Sequence, residues 1–269
     1  MSSRRSTRRR TPWALGVPAF LGALLLIVPL VGLLFRAPWG SLGGILVRPE
    51  VLDALWLSLL CASLATVISL LLGVPLAWVL ARASFPGLRL LRALVTLPLV
   101  LPPVVGGVAL LLVLGRNGLV GRYLDLWFGI TLPFTTAAVV VAETFVAMPF
   151  LVIAVEGAFR SADQGYDEAA ATLGAGRLTV FWRVTLPLIR PALVAGSVLC
   201  WARALGEFGA TVTFAGNLQG VTRTMPLAVY LAMETDPDEA VVLSLVLLTV
   251  SVAVLFALRG RWTGQGGAT

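Results

Sequence analysis

The sequence predicts an all-α integral membrane protein with six transmembrane helices, and three observations carry that expectation. Its 269 residues are 58% hydrophobic and 12% charged, with a mean hydropathy of +0.96; a soluble domain carries about 25% charged residues to cover its surface. Six apolar stretches have the length, about 20 residues, that crosses a bilayer. The arginines also alternate between connections: 14 fall in segments 1–12, 82–92, 158–190 and 259–269, against 5 in 36–53, 115–134 and 214–239. The positive-inside rule places the first group in the cytoplasm. Both termini are then inside, which requires an even number of spans.

The absences narrow the function. There is no histidine, so a Ser-His-Asp triad, a Cys-His dyad and a His-ligated metal site are excluded. There is no lysine either, so a phosphate-binding GxxxxGK[ST] loop is impossible. Any ATP used must be hydrolysed by another chain. Cys61 and Cys200 lie inside apolar stretches and read as small buried hydrophobes. The net charge of +7 is mostly topological, so nucleic acid is not an expected partner. No catalytic residue, cofactor or metal is assigned.

Residues 1–12 hold five arginines and no acid, as a basic cytoplasmic tail does. The apolar stretch 13–35 outruns the about 7–15 residues of a signal peptide and has no small-x-small site before Arg36. It is the first span, with Pro18 and Pro29 tolerated as in membrane helices. The next spans are expected at about 54–81, 93–114, 135–157, 191–213 and 240–258. The third contains LPLVLPPVVGG, where Pro98, Pro102 and Pro103 break helical hydrogen bonding. The fourth starts from Thr135. The fifth opens with Pro191, a good first-turn residue, and the sixth ends at Arg259.

The cytoplasmic loop 158–190 is the most informative segment. Ser161 and Gln164 have capping-box spacing, and Asp163, Asp167 and Glu168 suit the early turns of a helix. Alanines 169–171 continue it, and Gly174 can close it in the left-handed conformation. A second short helix is expected from about Arg177 to Val184, ending before Pro187.

Glu168-Ala169-Ala170, Gly174, Val184 and Leu186-Pro187 resemble the EAA loop of ABC-importer permease subunits, whose pattern is EAA-x3-G-x9-I-x-LP. Val184 for isoleucine is the one departure. The resemblance implies a type-1 (MetI-like) permease fold with a core over 50–258. It also implies that this loop forms a coupling helix docking on a cytoplasmic ABC ATPase dimer. Glu168, Ala169, Ala170, Gly174, Leu186 and Pro187 are the expected coupling residues.

Arg203 and Glu207 fall roughly 18 and 24 Å into the fifth span at 1.5 Å per residue, where a lone charge is costly. Their spacing of four places them on one helix face. Either this pair, or Arg203 with Glu143 of the fourth span, is a buried structural ion pair, or these charges line the translocation path or its gate. Hydroxyls at Thr211 and Thr213, and N–H groups freed near Pro102 and Gly106, could replace anion hydration. The proline-glycine run reads equally well as path lining or as a kinked packing helix, and Gly206 and Gly209 could allow close helix packing.

The stretches 97–107, 203–217 and 222–230 resemble the oxyanion branch of these permeases, the sulfate and molybdate carriers. That resemblance implies import of a tetrahedral dianion: molybdate first, tungstate next, sulfate as the closest alternative. The implied partners are the ATPase dimer, an extracytoplasmic oxyanion-binding protein, a second copy of the chain and the lipid bilayer. A secondary anion transporter is the rival class. It would need no EAA loop, and no inverted repeat relates spans 1–3 to 4–6 by eye.

Overall fold

The computed structural model describes residues 13–163 and 165–262. The basic tail 1–12, Gln164 of the expected capping box and residues 263–269 lie outside the described residues.

The described chain is helical almost throughout. Helix α1 (Trp13–Arg36) keeps Pro18 and Pro29 in its interior. A short α2 (Leu42–Leu46) follows. Helix α3 (Pro49–Arg82) begins five residues before the expected 54, because Pro49 occupies the first turn, where no N–H is needed, and Glu50 suits the helix dipole.

The third span is not straight. Helices α4 (Leu88–Val100) and α5 (Pro103–Leu114) meet at an angle of 119°. Leu101 and Pro102 are extended between them, since a residue before proline is pushed out of the helical region. The connection 115–134 contains α6 (Gly121–Phe128). Helix α7 (Thr136–Ser161) starts at its cap: Thr135 Oγ1 accepts the Ala138 N–H at 3.2 Å.

The fifth span is also broken. Helices α8 (Gly165–Thr172) and α9 (Arg177–Val180) lead through a π-helical turn, Phe181–Thr185, into α10 (Leu186–Leu188). A bend of 74° at Ile189 then opens α11 (Arg190–Leu205). The second helix of the 158–190 loop therefore does not end before Pro187. The wide turn, closed by the Leu186 N–H on the Phe181 carbonyl, absorbs the proline. Helix α11 stops at Leu205, and α12 (Gly209–Phe214) starts afresh, so 191–213 is two helices.

The connection 214–239 holds α13 (Met225–Thr235), which sequence reading missed. Helix α14 (Pro237–Trp262) runs past Arg259, because arginine is a good helix former and the charge that ends an apolar stretch does not end a helix. Among the described residues, four unbroken helices and the two bent pairs have the length and composition of six spans.

The core lies where α3, α7 and α11 cross. It is rich in small residues: Ala62, Ala65, Ala142, Ala147 and Ala204, with Cys61 and Cys200, are fully buried. Association in lipid depends on close backbone approach rather than on hydrophobic burial, and these residues permit it. Both cysteines are free. A second cluster joins Ile45, Val51 and Ala54 to Met225, Ala228, Ala232 and Leu243, and so packs α13 between α3 and α14. Helix α1 exposes Leu25, Leu26 and Phe35, as lipid solvation allows.

Candidate functional site

The six residues singled out inside the membrane gather around two breaks, the one before α5 and the one between α11 and α12. Pro102 precedes α5 and Gly106 sits within it; Arg203 is in the last turn of α11; Glu207 lies in the break; Thr211 and Thr213 are in α12. Helices α5 and α12 pack together through glycines. A Cβ on Gly107 would fall 2.7 Å from Thr213 Cβ and 2.8 Å from the Ala210 carbonyl oxygen. One on Gly209 would fall 3.0 Å from Pro103 Cβ, and one on Gly106 would meet the Phe145 ring at 3.0 Å. The two broken spans thus touch at their breaks.

Arg203 and Glu207 do not share a helix, because α11 ends between them. They still form an ion pair, Nη2 to Oε2 at 2.6 Å, with an angle short of a hydrogen bond. The other carboxylate oxygen of Glu207 accepts the Ala210 N–H at 2.8 Å, and so caps α12. Glu207 is 1% exposed. Among the described residues Arg203 pairs with Glu207 and not with Glu143, which is equally buried and leaves Oε2 without a partner.

The expected anion-solvating groups are placed differently from the sequence reading. The Gly106 N–H is not free: it donates to the Pro102 carbonyl at 3.2 Å. The Thr213 hydroxyl donates to the Gly209 carbonyl at 2.8 Å. The Thr211 hydroxyl has no partner but is fully buried. Beside the break an open, mainly apolar cleft of about 420 Å³ is lined by Gly206, Phe208, Tyr230 and Met233, among others. Its lining carries no charged side chain, and its only hydroxyls are those of Tyr230 and Ser244.

The elbow formed by 158–190 is a separate candidate. Ser161 is the last residue of α7, its hydroxyl turned to the Ala158 carbonyl, so it does not cap α8. Asp163 takes that role, its Oδ1 accepting the Gly165 N–H at 2.9 Å. At the other end Gly174 has φ +87°. The Gly174 N–H reaches the Ala171 carbonyl and the Ala175 N–H reaches Ala170, which together close α8 in a Schellman motif.

Glu168 and Ala169 are exposed on α8 and Ala170 is half-buried. Among the described residues no cation lies within ion-pairing distance of Glu168. Leu186 is half-buried and Pro187 exposed, both beyond the π turn. Tyr166, Leu173, Leu178 and Trp182 are all more than half exposed around the same elbow. Sequence reading missed these four. Their signal was present as large side chains, Tyr166 and Leu173 among the polar and small residues of 161–176 and Leu178 and Trp182 just beyond.

Two broken spans meet at glycines, and a helix closed at both ends stands outside the bundle. The family model described as "binding-protein-dependent transport system inner membrane component" matches residues 69–262. The molybdenum transport system permease protein ModB of Mycobacterium tuberculosis is 54% identical over 245 residues, covering 91% of this chain and 92% of that protein. ModB of Escherichia coli is 44% identical, covering 82% and 96%. The sulfate transport system permease protein CysT of Salmonella typhimurium is 36% identical, covering 94% of each chain.

Among solved structures, a chain of the bacterial alginate ABC transporter, in complex with an alginate-bound periplasmic protein, superposes with a TM-score of 0.76. It is 17% identical and 91% of each chain is covered. A chain of the MetNI methionine transporter gives 0.60 at 17% identity, covering 78% of this chain and 94% of that one. The chain belongs to the binding-protein-dependent inner-membrane permeases of ABC importers. It is a multi-pass inner-membrane transport subunit with the MetI-like fold, not an enzyme.

Proposed function

We propose that this chain is the permease of an importer that carries a tetrahedral oxyanion, molybdate first, into the cytoplasm. The observation that carries the reading is the 54% identity, over 91% of the chain, to a permease named for molybdenum transport, against 36% to one named for sulfate. Tungstate shares the charge and geometry of molybdate and is the next expected substrate.

Two copies form one path, with both termini in the cytoplasm. A separate ATPase dimer supplies the energy and an extracytoplasmic oxyanion-binding protein delivers the anion. The permease core over 50–258 includes the elbow 158–190 as the coupling element. There Glu168 offers a carboxylate to a basic partner. Ala169 and Ala170 allow a close approach, Gly174 ends the helix, and Leu186-Pro187 lead back to the bundle. The exposed Tyr166, Leu173, Leu178 and Trp182 support this assignment, since large apolar residues exposed together mark a contact surface.

Arg203 and Glu207, with α5 and α12, form the gate where the broken spans meet. Broken backbone at membrane depth is tolerated where it is packed in protein or lines a wet cavity. Pro102, Gly106, Thr211 and Thr213 belong to that gate. Three of them are turned inward or already bonded in this conformation. The anion meets few strong ligands there, as conduction requires, and selectivity rests largely with the binding protein.

The test is uptake in a strain lacking this chain, with radiolabelled molybdate and sulfate measured separately at low concentration. Lost molybdate uptake is expected, and it returns with the gene. Lost sulfate uptake with molybdate unchanged moves the chain to the sulfate branch. Unchanged uptake of molybdate, tungstate and sulfate refutes the oxyanion reading.

A further inference from the structure

We infer that Asp167 is the positioning residue that hangs the ATPase-facing elbow on the transmembrane bundle; this rests on the reading of α8 as the docking element. Its two carboxylate oxygens serve two different elements. Oδ1 accepts the Thr185 hydroxyl at 2.9 Å, and Oδ2 stands 3.6 Å from Nη2 of Arg82. Thr185 is buried in the π turn and Arg82 is the last residue of α3. One side chain of α8 therefore meets both the end of a core span and the turn that leads into the broken span.

The far side of each contact is fixed. Arg92 donates from Nη2 to the Leu80 carbonyl and from Nε to Glu156, both at 3.0 Å, and Arg160 also holds Glu156 at 3.0 Å. The ends of α3 and α7 and the start of α4 are thereby locked into one frame. From Thr185 the chain runs through the bend at Ile189 into α11, whose last turn carries Arg203. A displacement of α8 by a docked ATPase is thus applied to α11 through Thr185 and reacted against α3 through Arg82.

The Arg82 contact is half-made. A separation of 3.6 Å exceeds a hydrogen bond, and Arg82 Nη2 is buried with no hydrogen-bond partner. A movement of α8 of less than about 1 Å closes or opens that bond. In a poorly solvated corner, with the Arg82 side chain 14% exposed, the change is weakly screened. The plain alternative is that Asp167 only complements the dipole of α8. In that case its removal lowers stability and leaves coupling alone.

The experiment uses the whole importer, this chain with its ATPase and binding protein, in proteoliposomes. Three quantities are read: ATPase retained on the affinity-purified permease, ATP hydrolysed, and labelled molybdate taken up per ATP. Asp167→Ala and Thr185→Val are expected to keep the ATPase bound and hydrolysing, while uptake per ATP falls about five- to tenfold. Asp167→Asn, which still accepts from Thr185, falls less. An unchanged ratio in both Asp167→Ala and Thr185→Val overturns the inference, as does a fall in uptake that tracks only the amount of assembled protein. If Asp167→Ala does not assemble, the near-isosteric Thr185→Val and Asp167→Asn decide by the same ratio. Glu168→Arg, run in parallel, should release the ATPase. Its retention with normal uptake refutes the docking of α8 whatever the Asp167 variants do.

Discussion

The Arg203 guanidinium holds Glu207 across the gap between α11 and α12, 2.6 Å from Nη2 to Oε2. The same carboxylate caps α12 through the Ala210 N–H, so one buried acid joins two pieces of a broken span. Removing Arg203 leaves that acid buried and unpaired, which costs about 3 kcal/mol, the lower end for such a loss since the arginine is partly exposed. Arg203→Ala is expected to lower thermal stability in detergent and to abolish uptake. Glu207→Gln, which still accepts from Ala210, is expected to fall between wild type and Glu207→Ala in both measurements. Full uptake by Arg203→Ala removes the gate and ion-pair readings together.

Charge reversal of both residues tests something more specific. If pairing were all that mattered, Arg203→Glu with Glu207→Arg would restore the wild type. An arginine at 207 cannot accept the Ala210 N–H, so the double variant is expected to insert but to transport poorly. Restored transport would show that the cap on α12 contributes nothing.

Much of the fold was legible because the bilayer imposes its own period on the sequence. The apolar lengths, Thr135 and Gly174 each encode a local rule that nothing distant overrides. The breaks were only half legible. Proline at 102 and 103 announces one, but its 119° angle depends on Phe145 and α12, which sequence does not bring near. The break at Gly206–Phe208 carries no proline, and Arg203 and Glu207 at helical spacing argued for continuity. Helix α13 was missed because 214–239 was treated as a connection. Pro226 in its first turn and Leu227, Ala228, Leu231 and Ala232 on one face were the available signals. Ser161 misled because α7 runs on through it, and Asp163, two residues on, accepts the Gly165 N–H instead.

The crossing of α5 and α12 gives a steric prediction. Gly107 has no room for a methyl group, and one of its obstacles is backbone, the Ala210 carbonyl at 2.8 Å. Gly107→Ala is expected to push the two helices apart at a cost of about 1–3 kcal/mol, and to reduce uptake with the protein still inserted. Gly157→Ala on α7 is the control, since nothing lies within 4 Å of its Cβ position. Equal behaviour of the two variants would mean that α5 and α12 are free to separate.

At the elbow the constraint is conformational rather than steric. Nothing crowds Gly174, yet its φ is +87°. Proline fixes φ near −65°, so Gly174→Pro is expected to destroy the Schellman closure, leave the protein inserted and uncouple it from its ATPase. Gly174→Asn, tolerated in left-handed backbone, should keep coupling. Amide exchange at Leu173 and Ala175 reads the closure directly: fast in the proline variant, slow in the asparagine one. Normal uptake by Gly174→Pro contradicts the assignment of this helix as the docking element.

The bend between α4 and α5 raises the question of whether that pair crosses the membrane or turns back within it, and the ion pairs give an answer. Arg92 near the start of α4 is bound to Glu156 near the end of α7, so those two ends lie on one side. Helix α7 has 26 residues and at 1.5 Å each spans about 39 Å, enough to carry its first residue to the opposite face. The connection from α5 to that start holds only α6, whose 8 residues rise about 12 Å and are too few to cross. The end of α5 is therefore on the face opposite the start of α4, and the bent pair crosses. The arginine excess then predicts the sides: Gly87 inside, Gly118 outside. Reporter fusions active only outside, such as alkaline phosphatase, should be silent at Gly87 and active at Gly118. Equal signals at the two positions would mean that the pair is re-entrant. Activity at Gly87 with silence at Gly118 would keep the crossing and reverse the orientation, so a single pair of fusions separates the geometric claim from the electrostatic one.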